Sequence, residues 1–170
     1  MDPDTLATVI ERGDEDDLED AIELVEELTL REQVELFGTA YETLLSCMER
    51  PDVDSRVATV RVVAALSPAT GRLVAETTVP NHATPTDSAF ETAIDRQAAL
   101  YAAALGDEAA AVREAAVEGI EDFSVACRMA EDRTSLDALY DDLKAIEDDV
   151  RPGQRGEVEQ AKEHVFSKLH

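Results

Sequence analysis

The stretch DEAAAVREAAVEGI, residues 107–120, decides how the rest of the chain is read. Its apolar positions Val112, Ala116, Val117 and Ile120 recur at the three- and four-residue spacing that gathers side chains on one face of a helix. Alanine is the best helix former and the smallest, so a helix of this composition can lie close against a neighbour. One cation, Arg113, stands in its middle. A lone guanidinium on an alanine-rich helix of an acidic chain bears on architecture more than on activity.

Outward from this stretch the chain reads as helix nearly throughout, so the expected fold class is all-α. Residues 14–28 set Leu18, Ala21, Ile22, Val25 and Leu28 on one stripe, with acids in the first turn where the helix dipole favours them. A shorter helix precedes it, from Pro3 at a first-turn position to a stop at Gly13, and buries Leu6, Val9 and Ile10. Thr29 caps a long helix to about Glu49, whose inner side carries Leu30, Val34, Phe37, Tyr41, Leu44, Leu45 and Met48. Pro51 opens the next, which ends near Ser67.

The texture then changes. Residues 67–87 hold three prolines and a glycine without a helical period, and their RLVAETTV core has strand-like composition but no partner strand. The segment reads as a proline-rich insertion loop at about 67–87 within a single helical domain spanning 1–170. Helix resumes at about Asp87, with Phe90, Ile94, Tyr101 and Leu105 on its stripe, and stops at Gly106. After the 107–120 helix the reading places a short helix near 122–131 and another from about Ser135 to Asp148. A break at 151–153 and a closing helix near 154–169 follow.

Helices of this length, joined by tight turns into antiparallel pairs, form the pattern of a short α-solenoid. DEAAAVREAAVEGI resembles the second helix of a HEAT-type repeat: an Asp, an Arg six positions later preceded by Val, then small apolar residues ending in Leu or Ile. Asp107, Val112, Arg113, Ala116 and Ile120 fit that pattern, and Tyr101 with the alanines of 98–104 suits the preceding helix. The resemblance implies that Asp107 and Arg113 are a structural repeat pair, the Asp at the inter-helix turn and the Arg along the inner helix, stacking one repeat on the next. A second copy at 51–66, PDVDSRVATVRVVAAL, aligns Arg56 with Arg113 but has Arg50 in the acid's place, so that Asp52 or Asp54 would substitute. A third, DVRPGQRGEVEQA at 149–161, spaces Asp149 and Arg155 correctly but interrupts the turn with Pro152 and Gly153. The alternative architecture is an irregular helical bundle.

Charge is the dominant compositional feature, with 39 acidic residues against 15 basic ones and a formal net charge of −24. Only Lys144, Lys162 and Lys168 are lysines; the other cations are twelve arginines. Many acids, few lysines and much alanine resemble the proteins of microbes that keep molar salt in the cytoplasm, where the Debye length falls to about 3 Å and carboxylates no longer repel one another strongly. The acids are dispersed rather than blocked into a tail, and no basic stripe is present to neutralise phosphates, so nucleic acid is not an expected partner. No apolar run has the length of a membrane span and the N-terminus is acidic where a secretory signal would be basic, which predicts a cytoplasmic protein without membrane attachment. Cys47 and Cys127 fall within helical apolar patterns and read as buried reduced thiols.

Catalytic constellations are scarce. The histidines are His82 in the insertion, His164 and His170, and there is no H-E-x-x-H, Cys/His cluster, G-x-S-x-G or glycine-rich phosphate loop, hence no expected metal or cofactor. The favoured reading is a non-enzymatic helical-repeat scaffold or adaptor for a protein partner or a second copy of itself, with Arg56, Arg61 and Arg113 around its concave face and Arg96 as a further candidate contact. The alternative is a small-ligand-binding or enzymatic helical protein in which 67–87 acts as a lid and His82 takes part.

The charge count predicts that folding requires salt, since dilute buffer leaves the self-repulsion of the acids unscreened. Circular dichroism against potassium chloride should show helix content and midpoint temperature rising together between about 0.05 M and about 2 M salt. Equal values at the two concentrations would remove the argument for a high-salt protein.

Overall fold

A computed structural model of the protein describes residues 2–12, 14–71 and 87–170. These residues are helical with no strand among them. In chain order the helices are α1 (Pro3–Arg12), α2 (Glu15–Glu26), α3 (Leu30–Met48), α4 (Val53–Leu66), α5 (Asp87–Leu105), α6 (Ala110–Met129), α7 (Arg133–Asp149) and α8 (Arg155–Leu169). A 3-10 turn at Pro152–Gln154 leads into α8, and residues 68–71 are also helical. The RLVAETTV segment and His82 lie outside the described residues.

Side-chain caps explain most of the starts. Asp14 accepts from the backbone N–H groups of Asp16 and Asp17 at the head of α2. Thr29 and Glu32 form a reciprocal capping box at α3, which satisfies two amides that the helix itself cannot. The Thr29 hydroxyl and amide also hold the Glu32 carboxyl below its usual range. At α4 the capping residue is Asp52, which accepts from Ser55 N–H, so the helix begins after Pro51 rather than on it. Asp132 caps α7 two residues earlier than the expected start at Ser135. Between α6 and α7, Glu131 takes a left-handed φ of 56°. There Asp132 N–H reaches Cys127 O and Glu131 N–H reaches Arg128 O, the paired bonds of a Schellman turn.

Two expectations change. The separate short helix near 122–131 does not exist: α6 runs unbroken to Met129 because Phe123, Ala126 and Cys127 continue the buried face and no proline or cap intervenes. The insertion read from Ser67 starts later, since 68–71 is a helical turn whose Ala69 amide donates to Gln97 Oε1 of α5.

By their packing the helices fall into two series. The odd-numbered ones touch in chain order, α1 on α3, α3 on α5 and α5 on α7, and the even-numbered ones do likewise, α2 on α4, α4 on α6 and α6 on α8. Each odd helix also packs on the even helix that follows it. Buried apolar side chains from all eight helices join one cluster. Helix α4, with neighbours on several sides, is apolar nearly all round, burying Ala58, Val60, Val62, Val63 and Leu66. Its buried hydroxyls are matched: Ser55 donates to Ile10 O of α1, and Thr59 to Ser55 O. Both cysteines are buried, and burial, aided by the charge of Glu11, pushes the Cys47 thiol up and away from the reactive thiolate.

The Tyr101 ring of α5 lies directly against Gly119 of α6. A methyl group there would meet the Tyr101 ring at 2.5 Å. Tyr101 is fully buried, its hydroxyl accepts from Gln97 Nε2 at 3.2 Å, and burial pushes its ionisation far upward, so it stays a neutral hydrogen-bonding phenol. Gly119→Ala should therefore destabilise by about 1–3 kcal/mol, the usual cost of overpacking, despite the higher helix propensity of alanine. Combining it with Tyr101→Leu should recover part of the loss; denaturant unfolding of the single and double variants measures both.

Candidate functional site

The residues singled out in the sequence do not converge on a pocket; three of them build a seam along the beginnings of the even helices. Arg56, in the first turn of α4, reaches across to the segment preceding α6. Its Nε donates to Asp107 Oδ2 at 2.7 Å and its Nη2 to Asp107 Oδ1 at 3.2 Å, a bidentate fork, while Nη1 donates to Arg50 O at 2.6 Å and to Asp52 O. Arg113, in the first turn of α6, repeats the arrangement one step on. Its Nε and Nη2 donate to Glu157 Oε1 of α8 at 3.0 and 2.8 Å, and Nη1 to the carbonyls of Asp107 at 3.0 Å and Glu108 at 2.9 Å. Both arginines thus clasp a carboxylate on or just ahead of the next even helix and the main-chain oxygen six residues behind themselves.

Asp107 joins the two steps. Its carboxylate faces Arg56 and also accepts from Ala109 N–H at 2.8 Å, while its carbonyl faces Arg113. Gln154, before α8, donates to the same carbonyl at 2.8 Å and fixes its own amide by accepting from Arg151 N–H. Asp107 and Arg113 therefore touch through the main chain, and the carboxylate partner of Arg113 is Glu157. Glu157 and Gln154 were not legible in the sequence: the six-residue rule pointed to Asp149 and Arg155, both of which are exposed. The only signal for Glu157 was an acid in the first turn of the closing helix.

Burial gives the seam its weight. The side chains of Arg113 and Glu157 are 6% and 20% exposed, and those of Arg56 and Asp107 13% and 11%. The other candidates sit apart. Arg61 of α4 pairs with Glu15 of α2 at 2.6 Å with its side chain 35% exposed. Arg96 of α5 lies 4.5 Å above the Tyr41 ring and reaches Gly38 O of α3. With their donors so engaged, Arg56 and Arg113 present little to a partner. His82 lies outside the described residues.

Beside the seam is a depression of about 530 Å³ floored by Ala102, Ala103, Ala145, Ile146 and Val150. Its polar rim includes Glu108 and Arg151, which pair at 2.9 Å, and Gln154, already bound to carbonyls. Among the described residues no serine, threonine, cysteine, lysine or histidine lines it. Among the described residues no group of histidine, cysteine or acids is arranged to hold a metal ion, and no helix is long and apolar enough to cross a membrane. Comparison of the chain with protein families, curated proteins and solved structures finds no match in any of the three.

Removing one partner of a buried pair leaves the other charge without compensation, typically at about 3–5 kcal/mol, against about 0–1 kcal/mol for an exposed pair. Arg113→Ala should fall in the first range, and Arg133→Ala, whose side chain is 69% exposed, in the second. Asp107→Ala should be strongly non-additive with Arg56→Ala, because its carboxylate receives the Arg56 fork, and more nearly additive with Arg113→Ala, whose bond to the Asp107 carbonyl survives the change. Chemical unfolding in about 2 M salt separates the variants, since screening acts weakly on a buried seam.

Proposed function

We propose that the protein is a short HEAT-like helical-repeat scaffold, an α-solenoid of antiparallel helix pairs that binds a protein partner in a high-salt cytoplasm and has no catalytic role of its own. The observation that carries this reading is the repetition of one contact scheme. Odd and even helices each pack in series, and the even series is joined at both steps by an arginine that binds a carboxylate and backbone carbonyls: Arg56 on Asp107, just ahead of α6, and Arg113 on Glu157 of α8. A stack in which each pair contacts mainly its neighbours is the packing logic of repeat proteins. Such proteins present extended surfaces rather than enclosed cavities, in keeping with the open depression beside the seam, where Glu108 and Arg151 are already paired with each other.

The face offered to a partner in this reading is that of the even helices near the end of α6. Val125 and Met129, one turn apart, are 37% and 64% exposed there. Val125 lines a depression of about 340 Å³ with Ala64 of α4 and with Ser67 and Thr70. Apolar side chains beside the acids Glu118, Glu121 and Asp122 give a surface that keeps contact area when salt screens its charges.

Affinity capture from cells at about 2 M potassium chloride tests the reading. A specific partner should be retained by the parent and lost from the double variant Val125→Asp, Met129→Asp. It should survive Ala138→Asp with Ala145→Asp, exposed positions on α7. Equal capture by both variants would exclude this face, and turnover of a small molecule would favour the enzymatic alternative.

A further inference from the structure

We propose that the cleft between α7 and α8 is a binding site for a soft organic cation, an alkylammonium or guanidinium group. The cleft, about 300 Å³, is lined by Tyr140 of α7 and by Glu159, Lys162, Glu163 and Phe166 of α8. Its two rings lie 6.0 Å apart at 40°, and Phe166 is 48% exposed. On a chain with four phenylalanines and no tryptophan, an exposed aromatic wall of this kind is unusual for its composition.

Three features point to a cation. An aromatic face carries negative quadrupolar charge and attracts ammonium and guanidinium groups. Tyr140 already holds one, since Lys144 Nζ lies 4.6 Å from its ring centre. The cation in the cleft wall, Lys162, is bonded to Glu147 across the helix pair and also feels the charge of Glu159. Glu159 and Glu163, one helical turn apart at the rim, close no salt bridge among the described residues. The cleft therefore combines ring faces with two carboxylates that close no salt bridge among the described residues. His170 stacks on Phe166 at 4.3 Å and fixes the ring that would meet the ligand.

The same chemistry disfavours an inorganic ion. Small hard cations are strongly hydrated and take six or more oxygen ligands, whereas this cleft offers rings and two rim carboxylates. A weakly hydrated organic cation gives up less on meeting an aromatic face, so it can compete in the presence of molar potassium. The site is separate from the scaffold reading: the face near α6 and the α7–α8 cleft share no residue.

Nuclear magnetic resonance of the full chain in about 2 M potassium chloride provides the test, with tetramethylammonium, methylguanidinium and the peptide Gly-Ser-Arg-Ser-Gly as probes. Saturable shifts confined to Tyr140, Phe166 and their neighbours are expected. Phe166→Leu should weaken binding roughly fivefold, and Glu159→Gln with Glu163→Gln by a similar factor. Lys144→Ala should tighten it, because the internal competitor for Tyr140 is gone. The matched charge change Glu23→Gln with Glu27→Gln should leave it unaltered. A peptide that binds more tightly than methylguanidinium identifies a protein segment as the source of the cation, and equal binding identifies a free small molecule. Shifts that rise without saturation, or equal losses in the rim and control variants, would overturn the site, as would unchanged affinity in Phe166→Leu. The rim variant changes only exposed carboxylates, so it decides the matter even where the ring variant loses stability.

Discussion

Asp107 is the residue on which the even helices turn. Its carboxylate receives the fork of Arg56 and its carbonyl receives Arg113 and Gln154, so one residue ties α4, α6 and the entry to α8. A buried ion pair is weak evidence of net stability, because desolvation offsets most of the attraction. Its worth here is geometric. A planar guanidinium bound to two carboxylate oxygens and two carbonyls admits few other positions, whereas apolar surfaces can slide. The seam therefore sets the register of the even helices, while the core supplies the driving force.

That driving force depends on small residues. Ala104, Ala116, Ala126 and Ala161 are buried in the second half of the chain, and Gly119 lets the Tyr101 ring lie against the backbone of α6. Each buried Leu, Ile or Phe contributes about 1.5–3 kcal/mol, and alanine contributes less but brings the helices together. Close approach in turn shortens the span that Arg56 and Arg113 must bridge. Composition and electrostatics thus cooperate: a bulkier seam would hold its helices too far apart for a two-point fork.

The surface follows a different logic. Most of the remaining cations make exposed pairs, such as Arg31 with Glu35, Arg133 with Asp137 and Arg151 with Glu108. Pairs of this kind are worth little and less still in salt. They relieve local repulsion among the acids without fixing the fold. The contrast with the seam explains why arginine rather than lysine serves within it: only the fork bonds a carboxylate at two points and keeps a third donor group for a carbonyl.

The sequence by itself determined the helices. Apolar spacing, Asp14, Thr29 and the stop at Gly106 marked most of them, because these signals act within a few residues of one another. It also raised the expectation that Arg113 is architectural, but the burial that takes its guanidinium out of water exists only in the packed chain. The all-α class followed from the same local signals. Tertiary structure alone decided the partners. That the Asp107 carboxylate belongs to Arg56, 51 residues away, and that Glu157 rather than a local acid answers Arg113, depend on which helices lie side by side. It also decided that α6 runs on past Ile120 without a break, because Phe123, Ala126 and Cys127 have a buried face only once the neighbouring helices have packed against it. Local propensity is written in neighbouring residues, whereas a seam between helices is written in distances that only the packed chain creates.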